Sequence, residues 1–352
     1  MTGVVALGAS AGGVESLRDV VAQLPADFPM PVFIVLHIPP YERNHLPRIL
    51  SKAGPLRAYE AKDGAKIKPG NIYVAAADHH LLIEKGRMAV KRGPKENRFR
   101  PSIDALFRSA AYVYGPKAIG VVLSGKLDDG TSGLWTIKHL GGIAIVQEPN
   151  DARFESMPMR ALEQVEVDYS LPAAEIGSLL KDLALRDEPK EAKHDSELRK
   201  RVETELAIAV EGSAFQKGIM EIGTLTPFTC PECHGALVKL KEGEMTRYRC
   251  HTGHAYSDSA LLEGVMESTG EMLWQVMRSL EEAVMLIQHM GQHIQEDGDA
   301  ARAKAFFKKA RELEARSKTL HATVQKHESL SADNLDKATP GKARRPRSRS
   351  RN

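Results

Sequence analysis

A serine in a glycine-rich segment near the start of the chain has the surroundings of a catalytic nucleophile. Ser10 lies in GASAGG (residues 8–13), which fits the pattern G-x-S-x-G between an apolar run and a stretch with helical spacing. Glycines in that pattern permit a sharp strand-to-helix turn that exposes the serine, and the N–H groups of the following helix can bind an oxyanion. A phosphate-binding glycine turn has the same local pattern, so this segment alone favours neither function.

A nucleophilic serine needs a base that takes its proton and an acid that orients the base. His37 ends the apolar run VFIVLH, and Asp129 lies after a later run, in the turn LSGKLDDGTSG. Because carboxyl ends of parallel strands share one edge of a sheet, Ser10, His37 and Asp129 are predicted to meet there. A histidine with only a structural hydrogen bond remains an alternative. So does a turn or cap role for either Asp128 or Asp129.

The three cysteines of the chain all lie between residues 230 and 250, in a metal-binding pattern. Cys230 and Cys233 form a C-x2-C knuckle, and Cys250 with His254 forms a C-x3-H second half. A Cys3His set closes a tetrahedral shell around Zn²⁺, so we predict a structural zinc site, with no cofactor for catalysis. Unliganded thiols are the alternative. Two neighbouring histidines are interpreted as bystanders: His234 and His251.

The region around the catalytic candidates alternates between short apolar runs and stretches of helical spacing. Several runs are apolar at every position, which is typical of strands buried on both faces of a parallel sheet. The alternation predicts an α/β fold with a doubly wound, mostly parallel sheet and an inserted hairpin at 81–90. The predicted strands are Val4–Leu7, Val32–His37, Ile72–Ala75, Ile119–Leu123, Ile143–Gln147 and Val165–Tyr169.

Changes in composition divide the chain into five predicted regions. They are a catalytic domain at 1–182, a charged linker and amphipathic connector at 183–224, a zinc-ribbon-like unit at 225–258, an α-helical hairpin or coiled coil at 259–330, and a basic disordered tail at 331–352. The hairpin prediction rests on apolar residues that recur every seven positions, namely Leu273, Leu280, Ile287 and Ile294. The tail prediction rests on seven basic and no acidic side chains at 337–352.

The composition is that of a globular protein, with 42% hydrophobic and 27% charged residues. The sequence contains no run of about 18 apolar residues, so no transmembrane helix is predicted. The first residues lack the basic segment of a secretory signal. An odd, clustered set of three cysteines indicates metal ligands in a reducing compartment, so we expect a cytoplasmic protein.

Six segments over about residues 3–180 resemble the CheB family of protein-glutamate methylesterases in order and spacing. They are VVALGASAGGVESL, the strand ending in HIPP, KIKPGNIYVAAADHHLLI, RPSIDALFRSAA, LSGKLDDGTSGL and IVQEPNDARFESMP. The resemblance implies a chemotaxis enzyme that hydrolyses glutamate γ-methyl esters on chemoreceptor helices and can deamidate receptor glutamines. It assigns the nucleophile to Ser10, the base to His37 and the triad acid to Asp129, the aspartate directly before the glycine. The N–H of Ala11 is the expected oxyanion donor.

Three features depart from the family pattern. Ala11 stands where threonine is frequent, which removes a hydroxyl near the site. Lys126 and Leu127 stand where many members have methionine and glycine, so the second oxyanion contact and the crevice lining are altered. The receiver domain that usually precedes this enzyme has no counterpart in the sequence. We therefore expect no control by aspartyl phosphorylation within the chain, and a docking or regulatory role for the C-terminal region.

The expected partners are methylated chemoreceptor helices or another methylated protein, with further docking partners at the C-terminal region. An esterase or amidase for a different substrate is one alternative function, and a catalytically weak signalling scaffold is another. Nucleic acid is not the expected partner, because the basic tail has no aromatic residues for stacking. The zinc-ribbon-like unit contains four basic or aromatic residues that fit either nucleic-acid contact or protein docking, and both alternatives stay open. These residues are Arg247, Tyr248, Arg249 and Tyr256.

Overall fold

The computed structural model describes residues 3–186 and 195–327, and the chain divides between Leu261 and Leu262 into two compact units. Parallel strands and a hairpin form the first part of the first unit. The strands are β1 (Val4–Ala9), β2 (Val32–Leu36), β3 (Arg57–Glu60), β4 (Asn71–Val74), β5 (His80–Glu84), β6 (Arg87–Lys91), β7 (Ala118–Val122), β8 (Ile143–Gln147) and β9 (Tyr169–Leu171).

Seven of these strands form one parallel sheet in the order β3-β4-β2-β1-β7-β8-β9, and β5 pairs with β6 as the predicted hairpin. Helices cover both faces because every residue of β1, β2 and β7 is buried, and alternate side chains need apolar cover on each side. The prediction of a doubly wound α/β fold is confirmed. The helices are α1 (Gly13–Ala22), α2 (Leu46–Ala53), α3 (Ile103–Tyr114), α4 (Thr131–His139), α5 (Ser156–Gln164) and α6 (Ala173–Ala184).

The order of the sheet reverses at β1, which lies between β2 and β7. Gly8 of β1 is in register with Val35 on one side and with Val122 on the other. The carboxyl ends of β2, β1 and β7 therefore lie side by side at one edge of the sheet. Open α/β sheets bind their ligands at such a position.

One predicted strand was wrong in its bounds. The segment Val165–Tyr169 is a strand only at its last residue, because Val165 caps α5 through a backbone N–H to Ala161. The apolar side chains that produced the prediction, Val165 and Val167, pack against the core from a loop.

The first unit also contains a four-stranded antiparallel sheet and the two helices that precede it. Part of the charged connector forms α7, whose Leu198 and Val202 pack into the core of the parallel-sheet domain. The small sheet has the order β10-β11-β12-β13 and contains the three cysteines. These elements are α7 (Ser196–Glu211), α8 (Ile219–Ile222), β10 (Thr224–Thr229), β11 (Ala236–Glu242), β12 (Met245–Cys250) and β13 (Ala255–Ser257).

The predicted helical hairpin consists of α9 (Asp258–Glu296) and α10 (Ala300–His327), and it is confirmed. Small residues let the two helices approach: a Cβ on Gly291 would lie 2.8 Å from the ring of Phe307. The buried positions recur every seven residues, and on α9 they are not the predicted Leu273, Leu280, Ile287 and Ile294, which are only half-buried. They are Met277, Val284 and Gly291 on α9 and Ala303, Ala310, Ser317 and Val324 on α10. The basic tail lies outside the described residues. Within the described ranges, no helix is both long and apolar enough to cross a membrane.

Buried ion pairs join the parallel-sheet domain to the small antiparallel sheet. Arg249 of β12 lies 2.9 Å from both Glu96, in the loop before α3, and Glu205 of α7. Arg247 lies 2.8 Å from Glu205, and Arg108 of α3 pairs with Glu96. Burial alone would raise the pKa of Glu96, but the three arginines hold that pKa at about 2. The same arginines hold the pKa of Glu205 well below its usual value, against the effect of burial.

The depressed carboxyl pKa values predict acid sensitivity of the first unit. A carboxyl whose pKa is lower in the folded than in the unfolded state stabilises the fold above its unfolded pKa and stops doing so as the pH falls through its folded pKa. For Glu96 this contribution is on the order of 3 kcal/mol, lost between about pH 5 and pH 2. Urea unfolding at a series of pH values should show this decline.

Glu96→Gln should lower the stability at pH 7 and reduce the slope of stability against pH below pH 5. The exposed Glu203 of α7 provides the matched control, and Glu203→Gln should leave the slope unchanged. Equal slopes for wild type and Glu96→Gln would contradict the assignment of the acid limb to this ion cluster.

Candidate active site

The glycine-rich segment after β1 forms a tight turn that presents Ser10 at the carboxyl edge of the parallel sheet. The Ser10 N–H donates to the carbonyl of Ser124 at 2.9 Å, which anchors the turn to the chain after β7. Gly12 has a φ of +69°, a left-handed conformation that favours glycine. A Cβ at Gly12 would lie 2.9 Å from the Cβ of Arg153 and 3.0 Å from the ring of Phe154. The turn therefore requires glycine both for its backbone angle and for space.

His37 follows β2 and its ring bridges two candidate residues. Its Nδ1 lies 3.1 Å from Ser10 Oγ, and its Nε2 lies 2.9 Å from Asp129 Oδ2. A carboxylate only accepts hydrogen bonds, so Nε2 carries the proton and Nδ1 is left to accept from the serine hydroxyl. The ring of Phe99 stacks on His37 at 3.8 Å between centroids, nearly parallel, and limits rotation of the imidazole. The structure thus places all three predicted catalytic residues in hydrogen-bonded sequence.

Asp129 is buried and its carboxylate accepts hydrogen bonds on both oxygens. Besides His37, Oδ2 accepts from the backbone N–H of Ile103 at 2.7 Å. Oδ1 accepts from the Ser102 hydroxyl at 3.0 Å and from the Asn97 side-chain amide at 2.9 Å. Burial by itself would raise the pKa of Asp129. The hydrogen bond and charge of His37, and the N–H donors, lower that pKa below its usual value.

The helices α3 and α4 hold each other's first turns through a pair of aspartates. Asp129, two residues before α4, accepts from the N–H of Ile103 at the start of α3. Asp104 of α3 accepts in return from the N–H of Gly130, the N-cap of α4, at 3.0 Å, and from the N–H of Gly133 in its first turn at 2.7 Å. Each carboxylate satisfies N–H groups that have no partner within their own helix. This reciprocal contact fixes the position of Asp129 relative to α3.

Asp104 lies close enough to Asp129 for the two charges to oppose each other. Burial and the neighbouring Asp129 raise the pKa of Asp104 to about 7. One Asn97 amide nitrogen donates to both carboxylates, at 2.9 Å to each. The sequence pattern did not reveal Asn97 or Asp104 as site residues. The only local signal was an aspartate two residues into the helix after Ser102, and for Asn97 there was none.

Asp128, the alternative acid of the turn, does not contact His37. Its two oxygens accept from the hydroxyls of Ser257 and Ser259, each at 2.7 Å. Burial of its carboxyl raises the pKa of Asp128, which the two hydroxyls only partly offset. The geometry therefore places Asp129, and not Asp128, beside the histidine.

A basic and aromatic wall lies next to the turn that bears Ser10. The Lys126 ammonium lies 5.4 Å from the centre of the Phe154 ring, and the Arg153 guanidinium lies 6.0 Å from it. Both cations are exposed. The Ser124 hydroxyl holds this wall against the nucleophile turn, since it donates to the Ala11 carbonyl at 2.8 Å and accepts from the Phe154 N–H at 3.0 Å.

The four predicted metal ligands converge in the small antiparallel sheet. Their ligand atoms all lie within 4.8 Å of one another. The Sγ atoms of Cys230 and Cys250 lie 3.6 and 3.5 Å from His254 Nδ1, and Cys233 Sγ lies 3.6 Å from Cys250 Sγ. Bonds of about 2.3 Å in a zinc tetrahedron put neighbouring ligand atoms about 3.7 Å apart, so the set fits a divalent metal. The two bystander histidines lie outside this group.

The basic and aromatic residues of β12 and β13 are not available for nucleic-acid contact. Arg249 is fully buried and Arg247 nearly so, because both pair with glutamates of the ion cluster. Tyr256 is buried with its hydroxyl 3.2 Å from Cys230 Sγ, and Tyr248 donates to Asp258. Because these four residues are buried, they do not provide the nucleic-acid contact that the sequence left open.

A doubly wound parallel sheet with a serine, a histidine and an aspartate in hydrogen-bonded order at its switch point defines the class of α/β proteins with an esterase-type site. Within that class, the chain belongs to the CheB methylesterase family, whose sequence profile matches residues 5–180. A relative from Leptospira interrogans is 41% identical over 176 residues, which are 50% of this chain and 91% of the relative.

Two further comparisons cover the same region. The Thermotoga maritima protein-glutamate methylesterase/protein-glutamine glutaminase is 35% identical over 184 residues, 51% of this chain and 54% of that protein. The crystal structure of the Thermotoga maritima CheB methylesterase catalytic domain superposes with a TM-score of 0.50 and 34% identity. It covers 52% of this chain and 99% of the solved one. The matched region is the parallel-sheet domain that contains Ser10, His37 and Asp129.

The crowding at Gly12 predicts a stability effect that a matched glycine should lack. Gly12→Ala adds a left-handed backbone penalty of about 1–2 kcal/mol and an overpacking penalty of about 1–3 kcal/mol. Gly64 has a φ of +70°, but a Cβ there would meet nothing within 4 Å, so Gly64→Ala should show only the first penalty. Urea unfolding of both variants gives the difference. Equal losses would contradict the steric requirement at the turn.

Proposed function

We propose that the protein is a serine esterase that removes methyl groups from glutamate γ-methyl esters of methylated chemoreceptors. The observation that supports this most is the His37 ring, hydrogen-bonded at 3.1 Å to Ser10 and at 2.9 Å to Asp129. The trio lies in the region that matches the CheB methylesterase family. The family supplies the substrate class, and the geometry supplies a nucleophile, a base and an orienting acid.

The proposed reaction has two steps. His37 Nδ1 takes the proton of Ser10 as Oγ attacks the ester carbonyl, and the backbone N–H of Ala11 stabilises the oxyanion. The same proton then passes from Nδ1 to the departing methoxide, which leaves as methanol and the glutamyl group as an ester of Ser10. Water attacks this ester with His37 again as base, which releases glutamate and restores the serine. Asp129 stays ionised throughout and holds the Nε2 proton, in line with its lowered pKa.

The same site supports deamidation of receptor glutamines as a second activity. An amide differs from the methyl ester only in its leaving group, which takes the Nδ1 proton and departs as ammonia. The Thermotoga maritima relative carries both activities in its name. Ammonia leaves a tetrahedral centre less readily than methanol, so the ester should react faster.

The basic wall next to the Ser10 turn fits a substrate rich in acidic side chains. Lys126 and Arg153 are exposed beside Phe154, and Arg153 and Phe154 crowd Gly12, two residues after Ser10. A helix that carries several glutamates and their methyl esters would present carboxylates to these cations. The altered lining at Lys126 also keeps a different methylated protein as an alternative substrate.

For the Cys3His cluster we propose a structural zinc ion with four protein ligands and no part in catalysis. The four ligand atoms lie within 4.8 Å of one another, and a shell closed by four protein ligands leaves no position for substrate. Neighbouring groups are placed to orient the ligands, since the Thr252 hydroxyl lies 3.0 Å from Cys250 Sγ and 3.3 Å from Cys233 Sγ.

The triad proposal predicts large losses from single substitutions. Ser10→Ala and His37→Ala should lower kcat for methanol release from methylated receptor membranes by about 10⁴–10⁶-fold. Asp129→Asn should lower kcat by about 10⁴-fold, because the amide favours the wrong imidazole tautomer. A serine-reactive fluorophosphonate should label the wild type and not the first two variants.

Asp128→Asn is the matched control, since Asp128 is adjacent to the triad acid and does not contact His37. Its effect on kcat should be far below that of Asp129→Asn. Fluorophosphonate labelling without release of methanol from receptor membranes would favour an esterase for another substrate. Absence of labelling in folded wild-type protein would favour the signalling scaffold.

The metal proposal predicts one zinc ion per chain. Cys233→Ser and His254→Ala should reduce the zinc content measured by mass spectrometry and lower the melting temperature of the first unit, because metal binding contributes to folding. His251→Ala, at an exposed neighbour outside the ligand group, should retain one zinc ion. Zinc-free wild-type protein that melts at an unchanged temperature would contradict a structural metal.

A further inference from the structure

A single asparagine connects the triad acid to the metal-binding sheet. Asn97 is 3% exposed and lies between Asp129 and Asp104 on one side and β13 on the other. Its side-chain nitrogen donates to Asp129 Oδ1 and to Asp104 Oδ2, at 2.9 Å each. One amide group therefore uses both of its hydrogens on two buried carboxylates.

The opposite end of the same amide is fixed by β13. Its Oδ1 accepts from the backbone N–H of Ser257 at 2.9 Å. Because a carboxylate only accepts and an N–H only donates, these three contacts admit only one orientation of the amide. The Asn97 backbone is held as well, since its N–H donates to the carbonyl of Ala255 at 2.7 Å. Its φ of +49° is left-handed, which asparagine tolerates better than most residues.

The turn that bears the triad acid is also held directly by the end of β13 and the start of α9. Asp128 accepts from the hydroxyls of Ser257 and Ser259 at 2.7 Å, one residue before Asp129. Ser257 therefore supports the turn in two ways. Its N–H donates to Asn97, which in turn donates to Asp129, and its hydroxyl donates directly to Asp128. The strand begins at Ala255, immediately after the proposed metal ligand His254.

We propose that Asn97 is a positioning residue for the Asp129 carboxylate, and that β13 of the Cys3His sheet completes the catalytic centre by holding Asn97. The C-terminal sheet is then part of the esterase and not a separate docking appendage. This inference rests on the proposed function, because it assigns Asn97 a role in the turnover of that site. The inference goes beyond the proposed function because it assigns a catalytic contribution to β13, which lies outside the matched family region.

Two substitutions at Asn97 separate positioning from packing. Asn97→Gly keeps the left-handed backbone and removes the amide, so Asp129 loses one donor and its fixed angle to His37. Misplacement of a catalytic group by about 1 Å costs about 10²-fold. We expect kcat for methanol release to fall about 10- to 100-fold with KM within about twofold of wild type. Thermal unfolding followed by circular dichroism verifies that the variant is folded.

Asn97→Asp is nearly isosteric and provides a pH signature that a packing role would not give. The introduced carboxyl faces Asp104 and Asp129 directly, with His37, His80, Arg108 and Arg247 as the nearby charged or titratable groups. Next to two carboxylates it should bind a proton near neutral pH and donate in place of the amide, and it should lose that proton in alkali. The ratio of variant to wild-type kcat should therefore fall about tenfold or more from pH 6 to pH 9.

Asn71, at the amino end of β4 and away from the site, provides the matched control. Asn71→Asp should leave kcat and its pH profile unchanged. A folded Asn97→Gly with wild-type kcat, or a pH-independent ratio for Asn97→Asp, would overturn the inference while Ser10→Ala still abolished turnover. If Ser10→Ala retained full turnover, the proposed esterase mechanism itself would be wrong.

Discussion

The structure depends on keeping one ionised carboxylate, that of Asp129, in a place where water has little access. A buried charge is stable only when hydrogen-bond donors replace its hydration. Those donors come from the imidazole of His37, the Ser102 hydroxyl, the first turn of α3 and the amide of Asn97. Each donor must itself be held at a fixed position. Three features hold these donors in place. They are the reciprocal contact of α3 with α4, the loop before α3, and strand β13.

The buried arginines and glutamates extend this constraint to the small antiparallel sheet. Glu96 lies next to Asn97 in sequence and pairs with Arg108 and Arg249, so the loop that carries Asn97 is held by ion pairs from two sides. Removal of one member would leave an uncompensated buried charge, which costs more than the pair contributes. The loop therefore has little freedom to move away from the turn that bears Asp129, so the geometry of the candidate site and the stability of the fold depend on the same residues.

Sequence patterns predicted those features that depend on local spacing. Ser10 and His37 follow fully apolar strands, and parallel strands bring their carboxyl ends to one edge. The C-x2-C and C-x3-H spacings likewise brought four ligand atoms together. Asn97 and Ser257 escaped prediction because their contact joins residues 160 positions apart and neither lies in a periodic pattern. The burial of Arg249 could not be predicted either, since charge in a sequence does not reveal a buried partner.

The pairing of β13 with the loop before α3 bears on the timing of synthesis. During translation Ser10, His37 and Asp129 leave the ribosome well before Ser257, which fixes the amide beside Asp129. At 5–20 residues per second, the interval between residues 129 and 257 is roughly 10 s. Throughout that interval a nascent chain holds Ser10, His37 and Asp129 without the contacts of β13. The full hydrogen-bond set around Asp129 therefore forms only after Ser257 has emerged, because Ser257 holds the Asn97 amide that donates to Asp129.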